Sequence, residues 1–108
     1  MILFPCPYLG SDVEFTDERV DHVTSRHPDL LPAHMDLIGK TLLDPDLVRI
    51  SRRIATVREL SRWYADLLSG ANVVVVVATN TNPKQRPTII TAYIASRLAK
   101  GQVEWNRN

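Results

Sequence analysis

The chain has 108 residues, 44% of them hydrophobic, which is enough for one core and predicts a single domain over 1–108 without metal or disulfide staples. Its one cysteine, Cys6, excludes an intrachain disulfide and suits a reducing, cytoplasmic setting. The net charge of +1 falls short of the positive excess typical of strong nucleic-acid binders, yet residues 1–46 hold nine acids against three bases, and residues 47–108 ten bases against three acids.

The opening MILFPCPYLGSD has no basic leader and its prolines interrupt the apolar run, so it does not read as a signal peptide. Val13–Phe15 is a short strand or the approach to a helix. Thr16 then fits an N-cap, with Asp17 and Glu18 at the positive end of the helix dipole. The helix is expected to stop near Arg26, because Pro28 pushes His27 out of the α region. A second helix fits Pro32 or Ala33 through Leu43, with Met35, Ile38 and Leu42 at helical spacing, and Asp44-Pro45-Asp46 reads as a turn.

The second half changes character. Leu47–Ile50 reads as a short strand, and the β-branched run Val73–Ala78 as a central one. That run is the longest apolar stretch and far short of the ~20 residues a membrane helix needs, so no membrane partner is expected. Thr79–Lys84 is a turn cluster, after which Pro87–Ala95 forms a hairpin with the preceding strand. Residues 57–68 fit either type, and periodicity slightly favours a helix: Val57, Leu60, Tyr64, Leu67 and Leu68 obey helical spacing, while Trp63, Ala65 and Leu67 alternate.

Chemistry-bearing residues gather in three places. His22 and Arg26 stand four apart, on one helix face, and His27 ends the helix. An imidazole that moves protons beside a guanidinium suits phosphoryl chemistry, although the same residues also read as a solvated helix end. On the late strand, Thr91 and Tyr93 point one way and Ile90, Ala92 and Ile94 the other. Five arginines (Arg49, Arg52, Arg53, Arg58 and Arg62) fall in one short stretch and suit phosphate, or simply balance the acidic first half. The spacing of His22, His27 and His34 matches no common zinc pattern, and no glycine-rich phosphate loop is present, so neither metal nor cofactor is expected.

In order, HVTSRHPDL, TLLDPDLV, ELSRWYADLLSGANVVVVVA, IITAYIAS and KGQVEW resemble the small phage- and toxin-associated proteins of the barnase–EndoU–colicin–RelE nuclease fold, over roughly residues 13 to 105. The resemblance implies an α+β fold, N-terminal helices packed on a four-stranded antiparallel sheet, with Leu47–Ile50, Arg58–Leu67, Val73–Ala78 and Thr88–Ala95 as strands. It also implies a metal-independent endoribonuclease that acts on RNA and is held by an antitoxin or immunity partner. The positions matching the family's site are His22, Arg26, His27, Thr91 and Tyr93 as catalytic residues, with Arg62, Tyr64, Arg52 and Arg53 binding substrate. Glu59 is one residue out of phase with Arg62 and falls outside this set. An inactive binding domain for nucleic acid or protein is the alternative on the same scaffold.

Overall fold

The computed structural model describes residues 1–82, 84–99 and 101–107. Among them the chain forms β1 (Ile2–Cys6), a 3₁₀ turn (Pro7–Leu9), β2 (Ser11–Phe15), α1 (Asp17–Arg26), α2 (Met35–Leu43), β3 (Leu47–Ile50), β4 (Val57–Tyr64), β5 (Ala71–Ala78), β6 (Thr88–Ala95) and β7 (Gln102–Asn106). The strands make one sheet in the order β1-β2-β6-β5-β4-β3-β7. The class is α+β, but the sheet is seven-stranded and mixed, which corrects the expected four-stranded antiparallel one. The four expected strands do form its middle and pair antiparallel. β1 and β2 extend it on one side, where β2 meets β6 in parallel, and β7 extends it on the other.

Local chemistry accounts for most of this. Thr16 caps α1, its Oγ1 accepting from Arg19 N–H at 3.3 Å, and the helix ends at Arg26, ahead of Pro28. α2 starts at Met35, later than expected, after turns over residues 28–34. Pro5 is tolerated in β1 because β1 is an edge strand. Residues 57–64 form a strand against their slight helical periodicity, since every position from Val57 to Tyr64 pairs with β5. Pro83, within the expected Thr79–Lys84 turn, lies outside the described residues.

Ladder partners share a face, so the register divides the sheet into two. The inner face carries Ala71, Val73, Val75 and Val77 of β5, with Leu60, Ala92, Ile89, Val13, Phe15 and Val48, all packed in one core with Ile38 and Leu42 of α2. A bulge between Val76 and Val77 leaves Ile90 unpaired, so Ile89 rather than Ile90 joins that core. The strict alternation expected for residues 88–94 therefore holds only from Thr91 onward.

Although β1 and β7 stand at opposite ends of the strand order, Tyr8 after β1 donates to Glu104 of β7 at 2.5 Å and packs on Trp105, with ring centroids 5.9 Å apart. The sheet is thus curled, with α2 in its hollow and the outer face turned away from it. No helix among the described residues is long and apolar enough to cross a membrane.

Candidate functional site on the outer sheet face

The outer face is built from Leu47 and Arg49 of β3, Glu59, Ser61 and Trp63 of β4, Asn72, Val74 and Val76 of β5, and Thr91 and Tyr93 of β6. α1 reaches it from the side. β2 pairs with β6 at Glu14 opposite Thr88, and the chain then continues as α1 beside β6. Arg19 Nη1 donates to the Ile90 carbonyl at 3.5 Å, and further along the helix the His27 ring meets the Tyr93 ring, with centroids 5.9 Å apart and planes tilted by 39°. His27 is fixed there from both sides. Its N–H donates to Val23 C=O at 2.7 Å, and its carbonyl accepts from Leu30 and Leu31, whose side chains are fully buried.

Across β5 from Thr91 stands Glu59, since both pair with Val76. Glu59 Oε1 lies 3.0 Å from Nη2 of Arg49. Arg49 is 3% exposed and also donates from Nη1 to the carbonyl of Ala99, in the segment leading from β6 to β7. The Nη2 contact is an ion pair whose N–H is not aimed along the N···O line, and Arg49 Nε, Ser61 Oγ and Thr91 Oγ1 are buried without a hydrogen-bond partner among the described residues. Buried polar atoms are nearly always satisfied, so three such groups on one face are unusual. Burial pushes the Tyr93 phenol above its ordinary pKa, the Glu59 carboxylate adds to the rise, and Arg49 opposes it. At neutral pH the phenol is a protonated donor.

The expected site residues do not all meet. His27 meets Tyr93, which shares a strand face with Thr91. His22, half-buried, lies about one and a half turns back along α1, and Arg26 is exposed at its end. Arg62 and Tyr64 face the other side of the sheet, because their ladder partners Val73 and Ala71 belong to the inner core. There Arg62 lies over the Tyr64 ring at 5.5 Å and pairs with Asp44, while the Tyr64 hydroxyl bonds to Thr41 Oγ1 at 2.9 Å. The placement of Arg62 and Tyr64 in the site is corrected by this register. Arg52 and Arg53 are exposed on the β3–β4 loop, beside a shallow groove that Gly101 and Gln102 also line.

No family model, curated protein or solved structure matches this chain. The site therefore rests on its own geometry. Arg49 figures in the sequence only among the phosphate-suited arginines, not as the partner of a carboxylate, and Glu59 falls outside the expected set. Glu59 was set aside for being out of phase with Arg62, and it is this same phase difference that puts it on the face of Thr91 and Tyr93.

The arrangement offers a carboxylate as proton acceptor, an imidazole that carries protons, and phenol and hydroxyl donors between them. Glu59 and Thr91 lie about 10 Å apart along the backbone, two strand spacings, a gap that long side chains narrow. Among the described residues no group of three or more His, Cys, Asp or Glu gathers to hold a metal ion.

Proposed function

We propose that the outer face cleaves RNA by internal attack, as expected of a small toxin or phage effector of the nuclease fold that the sequence resembles. The observation that carries this reading is the contact of the His27 and Tyr93 rings, which brings a proton-handling imidazole to the face that also holds Thr91 and the Glu59–Arg49 pair. In this reading Glu59 takes the proton of a ribose 2′-hydroxyl, and that oxygen attacks the adjacent phosphorus. The bond from phosphorus to the 5′-oxygen breaks as the His27 imidazolium gives its proton to that oxygen, leaving a 2′,3′-cyclic phosphate and a 5′-hydroxyl. Tyr93 donates to a phosphoryl oxygen as charge builds there, whereas Thr91 Oγ1 is buried beneath the face. Arg49 acts as a positioning residue that holds Glu59. The chain would work in the cytoplasm, restrained by an antitoxin or immunity protein.

Cleavage of single-stranded RNA in EDTA tests the reading. The expected products carry cyclic phosphate, and His27→Ala is expected to slow cleavage roughly 10²–10⁴-fold, the usual contribution of a general acid or base. Products ending in a 3′-hydroxyl, or cleavage abolished by the chelator, would refute it. One observation favours the alternative of a non-catalytic binding domain: Arg49 is 3% exposed and already committed to Glu59 and Ala99. That alternative gives RNA or protein binding with no cleavage by the wild type.

A further inference from the structure

The outer face carries one large aromatic that the chemistry above does not use. Trp63 is 50% exposed on the next-to-last rung of the ladder between β4 and β5. Its register places it beside the catalytic groups. Trp63 pairs with Asn72, and Ser61, two residues earlier, shares Val74 with Tyr93. Two strand spacings and two residues of rise separate the Trp63 and Tyr93 backbones by about 12 Å, within the span of a dinucleotide.

The indole is also braced. A Cβ added at Gly70 would lie 2.6 Å from Trp63 Cζ2, so the ring rests on the bare backbone of the turn that joins β4 to β5. That turn runs through three consecutive left-handed residues, Leu68, Ser69 and Gly70, and only glycine leaves room for the ring at the third. A ring held from behind and open in front loses little freedom when a flat partner stacks on it. The nearby carboxylates of Asp44 and Asp46 are offset by two cations, since Arg107 binds both and Arg62 pairs with Asp44, and Asp46 also accepts from the Trp63 backbone N–H at 2.8 Å. Beside the ring, the half-exposed Asn72 donates from Nδ2 to the Ala95 carbonyl at 3.3 Å, which fixes its carboxamide at the platform's edge.

We infer that Trp63, flanked by Asn72, is a stacking platform for a nucleobase of the single strand whose phosphate sits at His27 and Tyr93. The inference rests on the ribonuclease reading and adds a base subsite to it. Stacking on aromatics accepts every base, so the platform anchors the strand without choosing its sequence.

The test uses the Trp105→Phe protein, in which Trp63 is the only tryptophan, titrated with a short single-stranded DNA that lacks the attacking 2′-hydroxyl. Saturable quenching of Trp63 fluorescence is expected, with loss of quenching when an abasic strand retains the phosphates. In RNA cleavage by the otherwise native chain, Trp63→Ala is expected to raise KM roughly tenfold with kcat little changed, and Trp63→Phe to restore most of the loss. His27→Ala in the Trp105→Phe background is expected to lose cleavage yet keep the quenching. An unchanged KM in Trp63→Ala, or equal quenching by intact and abasic strands, overturns the platform while cleavage by the wild type upholds the ribonuclease. Quenching by a wild type that cuts no RNA overturns the ribonuclease and keeps the base site.

Discussion

The two faces of the sheet carry nearly the same polar residue types and use them in opposite ways. On the inner face an arginine and a tyrosine are satisfied together with a threonine of α2: Arg62 pairs with Asp44 and lies over Tyr64, and the Tyr64 hydroxyl contacts both Thr41 Oγ1 and the Leu37 carbonyl. On the outer face an arginine, a tyrosine and a threonine stand with Glu59 and His27, and Arg49 Nε, Thr91 Oγ1 and Ser61 Oγ remain without hydrogen-bond partners among the described residues. A saturated set holds an element in place. An unsaturated one leaves polar groups buried at a cost to stability, and residue type alone does not distinguish the two.

The largest effect that would sharpen this contrast comes from Arg49. Replacing it with alanine breaks its pair with Glu59, empties the space beneath Ala99 and frees the connection to β7. The expected loss of stability is about 3 kcal/mol, the low end for a broken buried pair, because the Glu59 carboxylate keeps some contact with water. Urea denaturation measures it. RNA cleavage is expected to fall as well, since Glu59 loses the group that orients it, and a substantial rescue of cleavage by Arg49→Lys would support a positioning role. A variant with native stability would mean that the outer-face pair is ornamental and the contrast between faces is overstated.

Tyr64→Phe should have a smaller and purely structural effect. It removes the hydroxyl that bonds Thr41 and Leu37 and leaves the ring under Arg62. About 1 kcal/mol of stability should be lost, the net value of a typical hydrogen bond, with kcat and KM for RNA unchanged. A drop in kcat at native stability would return Tyr64 to the reacting groups and break the division by face.

How much of this was legible beforehand depended on whether a feature is local. Thr16 and Pro28 set the bounds of α1 through contacts within a few residues, and the valine run of β5 declares itself by composition. The edge strands β1 and β7 do not. Pro5 argues against a strand until its place at the edge is known, and residues 102–106 acquire a ladder only once β3 presents its free edge. The site was half legible for the same reason. Thr91 and Tyr93 share a strand, so their common face follows from period two. Glu59 and Arg49 join them only through the pairing of β3, β4, β5 and β6, which is a long-range property. The bulge at Ile90 leaves only a faint local trace, the adjacent Ile89 and Ile90 that interrupt the alternation between Thr88 and Thr91.

The smallest predicted effect separates the curl of the sheet from the chemistry on its outside. Tyr8, Glu104 and Arg58 clasp the two ends of the sheet together on the inner side: the Tyr8 hydroxyl donates to Glu104 Oε1, and Arg58 Nε lies 3.0 Å from the same oxygen. The Tyr8 bond, followed by Arg58, holds the Glu104 carboxyl below its ordinary value of 4.5. A carboxyl whose folded pKa is depressed contributes stability above its unfolded pKa, and that contribution is lost as pH falls through the folded value. Glu104→Gln should therefore cost stability at pH 7, at most about 1 kcal/mol for a partly solvated pair, with the gap to the wild type closing below pH 4.5. At the other end of the scale, burial and the Glu104 carboxylate push the Tyr8 phenol up to about 12. Between pH 10 and about 12 the unfolded phenol gives up its proton while the folded one keeps it, so this group lowers stability as pH rises, and Glu104→Gln should soften that decline. Denaturant midpoints measured from pH 3 to 6 and from pH 9 to 11 check both signs. RNA cleavage at pH 7 should not change in the variant, because the clasp closes the hollow around α2 and touches none of His27, Glu59, Thr91 or Tyr93. Lost cleavage at native stability would show that the curvature of the sheet itself sets the spacing of those groups.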